Sequence, residues 1–70
     1  MNIIQHIKTK LAIALQEVKR PLDIDVDELE FFDIDSECVH FVRGETVYTF
    51  GWYFDDKDIY VEYLTNYRIG

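Results

Sequence analysis

Carboxylates dominate the chemistry this sequence can offer. Asp23, Asp25, Asp27, Glu28, Glu30, Asp33, Asp35 and Glu37 place eight of them within fifteen residues. Asp55, Asp56 and Asp58 form a second, smaller group. Such a supply could bind a cation, serve acid–base catalysis, or recognise a positively charged surface. For calcium, Asp23-x-Asp25-x-Asp27 matches the first ligands of an EF-hand loop, and there the match ends. Glu28 stands where the sharp turn needs Gly, and Ile34 where the closing bidentate Glu belongs. Lys57 interrupts the second group. For acid–base work, abundance makes any chosen pair of carboxylates weak, and 70 residues leave little room for an enclosed pocket. Recognition is the reading that survives. Alternate residues of an extended segment lie about 6.6–6.8 Å apart on one face. That is close to the spacing of phosphates along a nucleic-acid strand, so Asp23 to Glu37 could dock as a ladder in place of a backbone. The plainer reading is a solvated surface that keeps the protein soluble and blocks edge-to-edge pairing.

The sulfur and imidazole groups offer less. Cys38 and His40 are two residues apart and share a face if they lie on a strand. With His6 they make three soft ligands, one short of a structural zinc site, at a spacing that fits no zinc finger. A Cys–His nucleophile pair also needs an orienting group and an oxyanion site, and no motif supplies them. The sequence therefore points to no enzyme, no metal and no cofactor. Tyr48, Trp52, Tyr53, Tyr60, Tyr63 and Tyr67 could suggest a platform for stacking bases. Nucleic-acid readers interleave such rings with Lys and Arg, whereas here the neighbours are Glu and Asp. Most of these rings are expected in the core. Tyr53, Tyr60 and Leu64 are the expected exposed anchors, since Tyr is favoured at interfaces.

The elements that must position these groups follow from periodicity. Residues 2–19 read as one helix, with Ile3, Ile4, Ile7, Leu11, Ala14, Leu15 and Val18 at helical spacing. Asn2 and Gln5 form a weak capping box, and Pro21 ends the helix behind Lys19 and Arg20. Residues 21–35 read as an irregular acidic connection. Leu22, Ile24 and Val26 alternate with Asp, which suits a short extra edge strand at 22–26, and Asp27 is placed to cap a turn of helix. Residues 36–67 read as a β-meander of three strands. Gly44-Glu45 forms a two-residue hairpin turn with Gly first, and Asp55 to Asp58 form the next turn. The first turn pairs Phe41 with Tyr48 and Val39 with Phe50. The second pairs Phe54 with Ile59, Trp52 with Val61 and Phe50 with Tyr63. Both turns put the same apolar set on one face, which is the face the helix must cover. The fold class is α+β, in a single small domain.

The opposite face holds Cys38, His40, Val42, Val47, Thr49, Tyr53, Tyr60, Glu62 and Leu64. It is more apolar than a solvated face needs to be, so either residues 22–35 cover it or a partner does.

Composition narrows the partner. The chain is 49% apolar and 16% aromatic, too much for a disordered acidic tail. Its net charge is −7, made of +3 over residues 1–20 and −10 over residues 21–70. Direct binding to nucleic acid or anionic lipid is disfavoured, and a basic protein surface, such as that of a nucleic-acid-binding protein, is favoured. One Cys, no apolar run long enough to span a bilayer and no signal-peptide pattern suggest a reduced, cytoplasmic setting. Small size and strong negative charge are also the properties of inhibitors carried by mobile elements. Two alternatives share the data: a homodimer joined by the outer sheet face, and an antitoxin or immunity-type partner of a basic toxin.

Overall fold

The apolar stripe of the first segment winds into helix α1, Ile3–Gln16, which buries Ile7, Leu11, Ala14 and Leu15 along one side. The structure, a computed structural model, describes residues 3–17 and 24–69. The expected cap at Asn2, the extension through Val18, Lys19 and Arg20, and the stop at Pro21 lie outside the described residues, as does Leu22. A single 3-10 turn, Val26–Glu28, follows. Four strands complete the chain: β1 Glu30–Ile34, β2 Cys38–Arg43, β3 Thr46–Asp55 and β4 Asp58–Arg68. They pair antiparallel in the order β1-β2-β3-β4. The helix packs on one face of this sheet, so the fold is α+β. No described helix is long and apolar enough to cross a membrane.

Register at both hairpins follows from the turns. Gly44 adopts φ +63°, the left-handed region that glycine enters without strain, and Arg43 pairs with Thr46, Phe41 with Tyr48 and Val39 with Phe50. The second turn is tighter than the four-residue turn expected. Asp55 pairs with Asp58 across Asp56 and Lys57, yet Phe54 still meets Ile59, Trp52 meets Val61 and Phe50 meets Tyr63. Moving a turn by one residue on each side preserves the register.

Inside, Val39, Phe41, Tyr48, Phe50 and Ile59 meet the helix stripe and Leu29 in one core. Phe41 stands edge-on to Phe31 at 6.3 Å and to Phe50 at 6.2 Å, and Phe50 stands edge-on to Tyr63 at 5.7 Å. Complete burial of Phe41, Phe50, Ile7 and Leu11 contributes about 1.5–3 kcal/mol for each side chain. Asp58 ties the helix to the β3–β4 turn: its Oδ2 accepts from Lys10 Nζ at 3.0 Å and its Oδ1 lies 3.2 Å from His6 Nε2.

Two expectations are corrected. The extra edge strand is Glu30–Ile34, and residues 24 and 25 are not strand. Phe31 and Ile34 pair opposite Phe41 and Val39 in the ladder, whereas Asp25 is used to cap the turn at Val26–Glu28 and Asp is a poor strand former. The cap of the short helical turn is Asp25, whose side chain accepts from Asp27 N at 3.0 Å.

Candidate functional surface

The helix and the described residues of the acidic segment pack on one side of the sheet. From residues 24–35, Leu29 turns fully into the core and Ile24 and Val26 pack against it, so the described part of this segment does not cover the outer side. Along the strands the outward positions are Glu30 and Asp33 on β1, Cys38, His40 and Val42 on β2, Val47, Thr49, Gly51 and Tyr53 on β3, and Tyr60, Glu62, Thr65 and Tyr67 on β4. Val47 is fully buried and stands between Val42 and Tyr67 in register, separate from the helix-side core.

Three expected anchors come together there. Tyr53 and Tyr60 pair across β3 and β4 with their rings stacked, centroids 5.3 Å apart and planes 18° apart. Leu64 lies one step along: a β-carbon on Gly51 would sit 3.5 Å from Leu64 Cδ1 and 3.6 Å from Glu62 Cγ. Tyr53 is 57% exposed, and Tyr60 and Leu64 are each 47% exposed, so they present apolar surface rather than fill a core. A further ring, Tyr67, is 44% exposed. Leu64 is an extra residue in the β3–β4 ladder, where Thr49 pairs with Thr65 but Phe50 already pairs with Tyr63. That bulge reverses which face later residues occupy, and it turns Tyr67 outward opposite Val47. No residue type marks that bulge, which places polar Asn66 on the helix side opposite Tyr48. Without the bulge, Thr65 would have faced the core.

The carboxylates are arranged differently from a ladder. Asp23 lies outside the described residues. Asp25 and Asp27 sit at the 3-10 turn, and Glu28 pairs with Arg43 beside it. Glu30 and Asp33 lie on β1, whose pairing slips at Phe32. Asp35 closes the β1–β2 turn, where its Oδ1 accepts from Glu37 N at 2.8 Å and from Cys38 N at 2.7 Å. Three carboxylates of the run therefore hold local backbone: Asp25, Asp33 (which accepts from Ile34 N at 2.8 Å) and Asp35. Those two backbone donors keep the Asp35 carboxyl below its ordinary range. The remaining side chains, Asp27, Glu30 and Glu37, are exposed. An even 6.6–6.8 Å repeat is thus broken by a turn, a bulge and a second turn, because Asp is used here as a turn former. What remains is dispersed: Glu30 on β1, Glu37 in the β1–β2 turn and Asp27 beside helix α1.

Among the described residues, no Lys or Arg occupies an outward position of β1–β4. Among the described residues, Arg43 and Arg68 are the only Lys or Arg on β1–β4, both at helix-side positions in register. Each pairs with an acid, Arg43 with Glu28 and Arg68 with Glu45.

Cys38 and His40 do share the outer face, while His6 is on the helix side with Asp58. Thus the sheet separates the three soft ligands. His40 Nδ1 lies 2.8 Å from Thr49 Oγ1 on the neighbouring strand. Partial burial first, and then the nearby Asp35 and Glu37, raise the Cys38 thiol above its ordinary range, which disfavours the nucleophilic thiolate. Among the described residues, no three of His, Cys, Asp or Glu gather as metal ligands. A cleft of about 320 Å³ is bordered by Ile3, His6, Phe54, Lys57, Asp58 and Ile59. Its carboxylate is already engaged by Lys10 and His6, which hold Asp58 down at about 2 together with the Ile59 amide.

Compared with known families, curated proteins and solved structures, the chain finds no match.

Proposed function

We propose that this protein is a small acidic binding protein, without catalytic activity, that engages a basic surface of a partner protein. The observation that carries the reading is the outer sheet face. It combines an exposed stacked Tyr53–Tyr60 pair and Leu64 with Glu30, Asp33 and Glu62, and it bears no Lys or Arg among the described residues. Exposed aromatics supply contact area that a partner can desolvate, and the acids favour a partner of opposite sign. The acids would act mainly on the rate of encounter and on partner choice, the rings on residence time. A basic groove that normally takes nucleic acid is the partner such chemistry suits. Occupying it would make the protein an inhibitor acting by occlusion, a nucleic-acid mimic in charge though not in even spacing.

The test is capture from host lysate on the immobilised protein, with elution in rising salt and identification of what is released. A nucleic-acid-binding protein that leaves at moderate salt supports the reading, provided Tyr60→Ser weakens its capture. Changing Glu30 and Glu62 to Gln should make the salt dependence shallower. If nothing is retained at low salt, or if these substitutions leave capture unchanged, the reading is wrong.

A further inference from the structure

Glu62 is an exposed carboxylate on the outer side of β4, and it finds no hydrogen-bond or ion-pair partner among the described residues. Other acids are already engaged. Asp25, Asp33 and Asp35 hold backbone amides, while Glu28, Glu45 and Asp58 pair with Arg43, Arg68 and Lys10.

The neighbours of Glu62 give it a defined setting. Tyr60 precedes it by two residues in an unbroken stretch of ladder, so both point the same way, about 6.6–6.8 Å apart along the strand. Gly51 stands opposite in register, so no side chain rises from β3 at that step. Leu64 Cδ1 and Glu62 Cγ lie 3.5 and 3.6 Å from where a β-carbon on Gly51 would stand, which puts an aliphatic group beside the carboxylate stem. Tyr53 stacks on Tyr60 and takes one face of its ring. The rings remain 57% and 47% exposed, and Leu64 47%.

A side chain that suits this set is apolar along its stem, flat at its tip and positively charged. Arginine has all three properties. Its methylenes cover apolar surface such as Leu64. Its guanidinium plane stacks on an aromatic face, and its fork of N–H groups donates two parallel bonds to a carboxylate. The ammonium of lysine has neither plane nor fork. Local charge agrees with a cationic guest. Asp55, two residues from Tyr53 on β3, adds an acid. The nearest lysine in sequence, Lys57, borders the cleft with Ile3 and His6 on the helix side. We propose that Tyr60, Glu62 and Leu64, with Tyr53 stacked behind Tyr60, form a subsite for one arginine side chain of the partner protein. This rests on the reading of the outer face given above and sharpens it: dispersed acids draw the partner in, and the arginine fixes where it docks.

Nuclear magnetic resonance titration of the ¹⁵N-labelled protein tests this at fixed ionic strength. The probes are two capped pentapeptides of glycine, one with a central arginine and one with a central lysine. The arginine peptide should shift the amides of Gly51, Tyr60 and Glu62 saturably, in the millimolar range. It should bind about fivefold more tightly than the lysine peptide, since both carry the same charge and only one can stack and fork. Glu62→Gln and Tyr60→Leu should each bring the two peptides to parity. Both positions are exposed, and the spectrum itself reports whether each variant folds. Equal binding of the two peptides by the wild type overturns the proposal. So does an arginine preference that survives both substitutions, or a response confined to the acids of residues 25–37. The two readings fail separately. A captured partner with no arginine preference at these residues removes the subsite alone, whereas arginine binding here with nothing captured removes the wider reading and leaves the subsite.

Discussion

Gly51 tests directly whether the outer face is open. It lies in β3, between Cys38 and Glu62 in register, and points outward. Its backbone is not in the left-handed region, which among the described glycines only Gly44 enters. Conformation therefore does not require a glycine there. An added methyl would rest 3.5 Å from Leu64 Cδ1 and 3.6 Å from Glu62 Cγ, both ordinary contacts. A glycine inside a strand costs about 0.5–1 kcal/mol relative to alanine, mostly through the freedom of the unfolded chain. Gly51→Ala should thus stabilise the fold by about 0.5–1 kcal/mol. A domain of this size moves by about 4–8 °C in Tm per kcal/mol, so the expected rise is about 2–8 °C. Urea unfolding should show a higher midpoint at unchanged slope. The same methyl raises the floor between Leu64 and Glu62, so capture of the partner should weaken while the fold strengthens. A destabilised variant would refute the geometry, since it would mean that something already fills the space above Gly51. A stabilised variant with undiminished capture would remove this floor from the binding surface.

Two further outcomes follow from the core and the ion pairs. Phe41→Leu loses two edge-on ring contacts in a fully buried site and should cost about 1–3 kcal/mol, whereas Phe31→Leu, at a ring 46% exposed with one such contact, should cost less than about 1 kcal/mol; urea midpoints decide, and an equal or larger effect at Phe31 would contradict the packing. Asp58 is held at about 2 against an ordinary 3.8, and Asp35 is lowered as well. A carboxylate depressed by folding stabilises the fold above its unfolded value and ceases to as pH falls through the folded one. Stability should therefore decline between about pH 4 and pH 2, and Asp58→Asn should flatten that decline in an acid titration followed by circular dichroism.

Much of the scaffold is legible in the chain because its signals are local. Apolar residues at helical spacing identify Ile7, Leu11, Ala14 and Leu15 as one buried stripe. Gly44 identifies the first hairpin, since that turn needs a positive φ. Two turns that agree on one apolar face specify the β2–β3–β4 register before any contact is known. Tyr53, Tyr60 and Leu64 follow from that register as an outward group.

What the chain leaves open depends on partners distant in sequence. Alternating Leu, Ile and Val with Asp at 22–26 resembles a strand, yet the strand forms at Glu30–Ile34, where Phe31 and Ile34 find Phe41 and Val39 to pack against. The acidic run has the residue types of a ladder, and only the folded chain assigns Asp25, Asp33 and Asp35 to backbone amides and Glu28 to Arg43. A one-residue bulge at Leu64 has no residue signature, but it decides that Tyr67 faces outward. Periodicity by itself determined which residues could share a face. Tertiary pairing decided which acids remained available and which face Thr65 and Tyr67 take, because both depend on hydrogen-bond partners that local spacing does not encode.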